Sequence, residues 1–556
     1  MSQPVLQPDA ELEQLRLQAF AAYRSFFHLE REACKSAVSA ELLKRYDEGD
    51  VLHEEGAAEA LHSMARVLYR RAYEVNGCMP RWQWLRTLRY LPSEAFGGGQ
   101  FLYEGSYQER RRIVEALSGV RALDGPNPKQ VCEEAVFRLV AAGTGVANAA
   151  VLLRMTSKGA GLRIRRAHYP EIDSDSDLVA AIKLFDERMD GDLNLVAGTV
   201  AHGTPLREQH SVLDMLLWTH RPVQPFNDFI ASREQLAWRT FAITDWGFAP
   251  IHQHFRLPGA MTTLNWYHEE LPGLLVLNSA IMLFLILAGD NAVVSAMRYG
   301  YIALPYKELE QFLDLALSRF ADELIQLFGR DVRRTLSAAT SLSIAWRKPD
   351  FIKPGLIPYV SGPILRKHSN GVALVDLVAA THRVALRCRV VASAGPALKA
   401  RGDDFEEQVR RMVGHSPCGP RPESVSLPVG VPIRAGGRAL TDVDALAYRD
   451  GVAFLIDAKA IAPVGFAEGL FAPTRNHRAA VEREAHEWPK KVAELQSHGC
   501  FERYGLDQCR EVVSIVVTPG APWVTSEHAL AWAHPGIRRV ASYEELKKFL
   551  DLDLHS

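Results

Sequence analysis

The 556-residue sequence predicts an α/β C-terminal domain, ordered α-β-β-β-α-β-α around a mixed sheet, behind a large, mainly α-helical N-terminal region. Three observations predict it. Residues 452–456, Val-Ala-Phe-Leu-Ile, form an unbroken apolar run of the kind found in a strand covered on both faces. Asp450-Gly451, between two β-rich runs, is the strongest short-range signal of a two-residue hairpin. Upstream, apolar residues recur at helical spacing. In Lys307–Phe328, Leu309, Phe312, Leu313, Ala316, Phe320, Leu324 and Phe328 mark one face, and Gly329 supplies the stop.

The same periodicity marks helices near 9–46, 55–76, 106–118, 128–142, 175–189 and 208–219. Stretches 92–105 and 222–260, rich in Gly, Pro and aromatics, read as irregular. Leu271 to Gly289 carries no charge over a length that spans a bilayer. Its flanks are acidic (Glu269, Glu270, Asp290), and Pro272-Gly273 breaks its start, so a buried strand followed by a buried helix is expected.

Residues 394–402 have linker composition, which places the domain boundary at 395/396. Asp403 or Asp404 then caps a helix with Phe405, Val409, Met412 and Val413 on its apolar face; Glu407 fits the reciprocal half of a capping box. A strand is expected around Val425–Ile433, then the hairpin 441–449/452–459. Arg475–His498 reads as a helix, with Val481, Ala485, Trp488, Val492 and Leu495 on one side and a kink or restart at Pro489. Val512–Val517 is a strand and Tyr543–Leu550 a closing helix.

The charges on the central strand need a reason. Asp457 and Lys459 share a face, because strand side chains alternate. A two-residue loop pairs Arg449 with Val452, and stepping outward sets Asp444 opposite Asp457 and Asp442 opposite Lys459. Facing carboxylates destabilise a strand pair, and a cation between them removes the conflict. Asp442 alone also fits a plain cross-strand ion pair with Lys459. Hard divalent ions, Mg²⁺ or Mn²⁺, take one or two carboxylates together with water and substrate phosphate. Phosphodiester hydrolysis is chemistry that such an ion serves. Asp444, Asp457 and the carbonyl of Ala458 would hold it, and Lys459 would orient the attacking water or stabilise the transition state.

These residues and their order resemble the PD-(D/E)XK nuclease superfamily, the restriction-endonuclease-like fold, over about 403–550. "DDFEEQV" resembles the first-helix motif and implies Glu406 as a catalytic and metal-binding residue. "TDVDALA" matches the second-strand aspartate at Asp444, and "IDAK" matches (D/E)-x-K at Asp457 and Lys459. Val443 stands where the name-giving proline would be. The resemblance implies a metal-dependent endonuclease acting on DNA more readily than RNA, as a homodimer or higher oligomer where both strands are cut. The helical region, 1–395, would sense, bind or gate, and such fusions resemble bacterial restriction or antiphage effectors. Two other classes remain open: a degenerate nucleic-acid-binding or interaction protein, and an RNA-directed ribonuclease.

Composition constrains partners. Formal net charge is −2, so any phosphate-binding surface is local. Seven dispersed cysteines without a CxxC pair read as reduced thiols, and the first residues lack a signal-peptide pattern. A cytoplasmic protein without a membrane partner is expected.

Other signals in the sequence are weaker. Asp173, Asp175 and Asp177 lack the glycine and glutamate of a calcium loop. His252 and His254 share a strand face with no third ligand at a suitable spacing. "GTGVANA" at 143–149 lacks a third glycine and a preceding strand, and no GxxxxGK[ST] occurs. Arg81, Trp82, Trp84, Arg86, Arg89 and Tyr90 interleave as in single-strand binders, but suit core tryptophans with an exposed arginine edge at least as well. Arg163, Arg165 and Arg166 form a second basic candidate.

Overall fold

The computed structural model describes residues 10–91, 95–96, 107–119, 133–201, 214–219, 249–254, 270–287, 300–328, 336–346, 364–367, 371–380, 383, 396–461 and 471–551. Two compact units result. One holds Met1–Ser174, Ala197–Phe255 and His268–Cys388; the other holds Asp175–Val196, Arg256–Tyr267 and Arg389–Ser556. The division therefore does not follow a single cut such as 395/396. A segment from far upstream joins the second unit.

In the first unit, helices Ala10–Leu42, Glu54–Val75 and Glu133–Ser157 pack on one another. The "GTGVANA" stretch lies inside the third, where its glycines permit close approach. A Cβ at Gly143 would sit 2.6 Å from Val114 Cγ2, and one at Gly145 2.6 Å from the Tyr169 hydroxyl. Residues Glu134–Ser157 are long and apolar enough to cross a membrane, yet 72% of their most apolar window is buried within the protein.

Three expectations for this unit change. Leu271–Leu287 is one continuous helix, not a strand and a helix. Pro272 lies in its first turn, where a missing N–H breaks no intrahelical bond. Within 208–219, Asp214–Thr219 is a strand paired antiparallel with Ala249–His254, and residues 208–213 lie outside the described residues. Asp-Met-Leu-Leu-Trp-Thr is too short for a stable helix, and cross-strand pairing overrides its apparent helical period. Arg81 and Arg89 form neither a nucleic-acid face nor the exposed edge expected beside the tryptophans. Both are buried and bridge to Asp376 at 3.1 and 2.8 Å, with Arg89 also 3.0 Å from Glu115. Trp84 is buried too, its Nε1 donating to the Asn76 carbonyl at 3.0 Å. The second basic candidate is also paired: Arg163 with Asp173, Arg165 with Glu171 and Arg166 with Glu48.

The second unit is built on a four-stranded sheet. Its labelled elements are α1 (Ser176–Ala201, which lies in this unit as far as Val196), α2 (Pro396–His415), β1 (Ile433–Ala435), β2 (Arg438–Thr441), β3 (Ala445–Arg449), β4 (Val452–Ala458), α3 (Phe471–Ser497), β5 (Glu511–Thr518), β6 (Val540–Ser542) and α4 (Tyr543–Asp551). The order across the sheet is β3-β4-β5-β6. β3 and β4 pair antiparallel from Arg449↔Val452 to Ala445↔Ile456. Asp450 and Gly451 have φ of 51° and 79°, the left-handed pair that a two-residue hairpin needs. β4 and β5 are parallel, as are β5 and β6, with α3 as the crossover between β4 and β5.

Coverage of both faces accounts for the apolar run in β4. Phe454, Ile456 and Ala458 join Phe405, Val409 and Val413 of α2 and Leu546, Phe549 and Leu550 of α4. Ala453 and Leu455 join Val481, Ala485, Trp488 and Leu495 of α3. Trp488 also anchors α3 by donating Nε1 to the Leu455 carbonyl at 3.0 Å. The helix runs unbroken past Pro489.

Local boundaries differ in two places. α2 begins at Pro396, so the linker-like 396–402 is helix and Asp403 is interior instead of a cap. Proline at the first helical position is favourable, a start signal masked by the surrounding small residues. Glu407 accordingly makes no capping box: it pairs with Arg410 at 2.6 Å and Arg411 at 2.8 Å, one turn on. Of the strand expected at Val425–Ile433, only Ile433 is in a strand, the short β1 that pairs with β2.

α1 docks where β6 meets α4. Phe185 meets Trp523 edge-on, ring centres 5.6 Å apart. Arg188 grips Glu545 through two bonds of 2.7 Å and donates to the Val540 carbonyl at 2.8 Å.

Candidate functional site

The polar end of β4 is where the sheet stops being apolar. Asp457 is 3% exposed and shares the α3-facing side of the strand with Ala453 and Leu455. Its Oδ1 accepts from Lys459 Nζ at 2.8 Å. Its Oδ2 is buried and has no hydrogen-bond partner. An uncompensated carboxylate oxygen in a core is costly, so this atom is a vacant acceptor. Lys459 is half-buried, and its backbone N–H donates to the Val517 carbonyl at 2.8 Å, which fixes the chain just past the strand.

Asp444, also 3% exposed, lies one residue before β3. The regular ladder stops at Ala445↔Ile456, one pair short of the expected Asp444–Asp457 rung. Instead the Asp444 N–H donates to the Ile456 carbonyl at 3.0 Å, and its Oδ2 accepts the Ala458 N–H at 2.7 Å. A side chain thus replaces the next backbone rung. Asp442, expected opposite Lys459, is exposed, and the lysine's ammonium bonds Asp457.

Glu406 is half-buried on α2, one turn before Arg410. Arg410 donates Nε to the Asp444 carbonyl at 3.1 Å, tying α2 to the start of β3. Gly430 lets that guanidinium pass: at φ 69°, a Cβ there would lie 2.5 Å from Arg410 Nη2.

Electrostatics agree with this grouping. Burial, opposed by the Ala458 hydrogen bond and reinforced by Asp457 and Glu406, pushes the Asp444 carboxyl up to about 7. Burial also raises Asp457, against the pull of Lys459. Glu406 is raised by burial, with Lys459 opposing. Lys459 is raised above the ordinary lysine value: burial opposes, but Asp457, Asp444 and Glu484 outweigh it. Asp444 thus feels the charges of Asp457, Glu406 and Lys459.

Their arrangement is not a closed metal cage. Among the described residues, no group of three or more His, Cys, Asp and Glu gathers closely enough to hold a metal ion. The buried donors at this end of β4 are carboxylate oxygens, a type that suits hard cations such as Mg²⁺ or Mn²⁺. The unpartnered Asp457 Oδ2 beside a second buried carboxylate fits such an ion.

Sequence reasoning missed Glu484 on α3. It is buried, falls on the apolar stripe between Val481 and Trp488, and acts electrostatically on both Asp457 and Lys459. Lys491, half-buried two turns along the same stripe, acts on Asp457 with the opposite sign. The detectable signal was an acidic residue inside an otherwise apolar helix face.

No family model, curated protein or solved structure matches this chain.

Proposed function

We propose that the second unit is a divalent-metal-dependent nuclease that hydrolyses phosphodiester bonds, in DNA more readily than RNA. The carrying observation is Asp457, with one oxygen on Lys459 and the other buried without a partner, beside Asp444 at the end of a mixed sheet. A bound Mg²⁺ or Mn²⁺ supplies Lewis-acid charge neutralisation and a more acidic water. Asp444 and Asp457 would hold that ion, with Glu406 reaching in from α2. Lys459 offers an ammonium to the developing charge on the phosphate or to the attacking water. Arg410 keeps Asp444 in place through its carbonyl. By analogy with fusions of a nuclease core to a helical region, residues 1–395 gate this activity in a cytoplasmic restriction or antiphage role.

The test is a cleavage panel with the purified chain: supercoiled plasmid, linear duplex and single-stranded RNA, each with Mg²⁺, Mn²⁺ or EDTA. Metal-dependent cutting of DNA supports the reading. Cutting of RNA alone reassigns the substrate. Binding without cleavage under every metal points to a degenerate nuclease fold kept for recognition.

A further inference from the structure

Lys459 and a cation compete for one carboxylate. In this structure the ammonium occupies Asp457 Oδ1 at 2.8 Å. A cation at the unpartnered Oδ2 would draw the carboxylate's charge away from that bond and repel the ammonium, and a half-buried ammonium then needs another acceptor. α3 provides one. The helix is pinned to β4 by the Trp488–Leu455 bond, and as the crossover to a parallel strand it runs back along β4. Glu484, one turn before Trp488, therefore lies nearer the end of β4 that carries Asp457 and Lys459. Its side chain is 12% exposed, and both hydrogen bonds from the exposed Arg483, 3.2 and 2.9 Å, fall on Oε1.

We propose that Glu484 is a positioning residue for Lys459: when a divalent cation occupies Asp457, the Lys459 ammonium passes to the Glu484 carboxylate. This rests on the metal-dependent reading above and deepens it. Glu484 touches neither the ion nor the substrate. It lowers the cost of vacating Asp457 and keeps the lysine at the site while the ion is bound. Both charges of the Lys459–carboxylate pair are conserved in the exchange, so no proton or co-reactant is needed.

Calorimetric titration of the full chain with Mn²⁺, in the absence of nucleic acid, tests this as a double-mutant cycle. The cycle comprises the native chain, Glu484→Gln, Lys459→Ala and the double variant, each checked for folding by thermal melting. The expected result is about tenfold weaker Mn²⁺ binding in Glu484→Gln, the scale of an outer-shell partner. In the Lys459→Ala background the same change should have little effect, because no ammonium remains to be rehoused. Equal weakening in both backgrounds would make Glu484 a ligand or a plain charge, and no weakening in either would make it structural; each overturns the inference and leaves the metal reading standing. Failure of the native chain to bind Mn²⁺ overturns the metal reading, and this inference with it. Should Glu484→Gln melt below the assay temperature, Glu484→Asp takes its place with the same contrast expected, smaller in size.

Discussion

The Asp444 carboxylate accepts the backbone N–H of Ala458 at 2.7 Å, taking the place of a ladder partner at the end of the β3–β4 hairpin. One residue therefore has two tasks: it closes the sheet end, and it presents a second buried carboxyl beside Asp457.

These tasks separate on substitution. Asp444→Asn keeps an oxygen for the Ala458 N–H and removes a charge that burial disfavours. Its stability should fall by no more than about 1 kcal/mol, while divalent-dependent activity is lost. Denaturant melts beside a cleavage assay check both. A variant that cuts like the native chain would remove Asp444 from the site.

Glu406 and Glu407 should part in the same way. Glu407 spends its charge on Arg410 and Arg411 in solvent-screened pairs that add little to stability. Glu406→Gln should lower the cleavage rate at least tenfold with little change in melting, and Glu407→Gln should leave the rate within about twofold. Equal rates would return Glu406 to an ordinary surface role.

Arg188 and Glu545 tie α1 to the sheet edge. Burial would raise the Glu545 carboxyl, but Arg188 and the Ser542 N–H outweigh it and hold Glu545 below the ordinary carboxylate range. A depressed carboxyl stabilises the fold above its unfolded value, and that contribution is lost as pH falls through the folded one. Arg188→Ala should cost about 3 kcal/mol at neutral pH, the scale of an opened buried pair, and less at an acid pH below the folded Glu545 value. Urea melts at both pH values measure it, and an equal cost at both would place the effect in packing instead.

How much of this was legible in the sequence depends on range. The hairpin was readable because Asp450-Gly451 sets its register locally, and Asp444, Asp457 and Lys459 followed from that register. What could not be read was the final rung, where the Asp444 side chain replaces a backbone partner. Pro396 announced a helix start but sat among residues of linker composition, so α2 came out about two turns short. The α1 contact joins residues 357 apart, and no local pattern carries that pairing. The burial of Arg81 and Arg89 was unreadable for the same reason, since their partner Asp376 lies 295 and 287 positions away.

Register itself can be perturbed. One glycine inserted after Gly451 forces a bulge or a one-residue slip, and a slip turns one strand's side chains to the other face. Apolar burial on both faces of β4 resists the slip. One insertion should therefore weaken Mn²⁺ binding and cleavage, and two should restore much of both. Identical behaviour of the two insertions would show that hairpin register does not set the carboxylate geometry.

The most direct test of the central claim compares the native chain with Asp457→Asn on plasmid DNA in Mg²⁺, purified side by side and matched by melting temperature. Asp457 holds the vacant buried oxygen and the Lys459 bond, so the account predicts nicking or linearisation by the native chain, abolished by EDTA and absent from the variant. Cutting of equal rate by both proteins would contradict it.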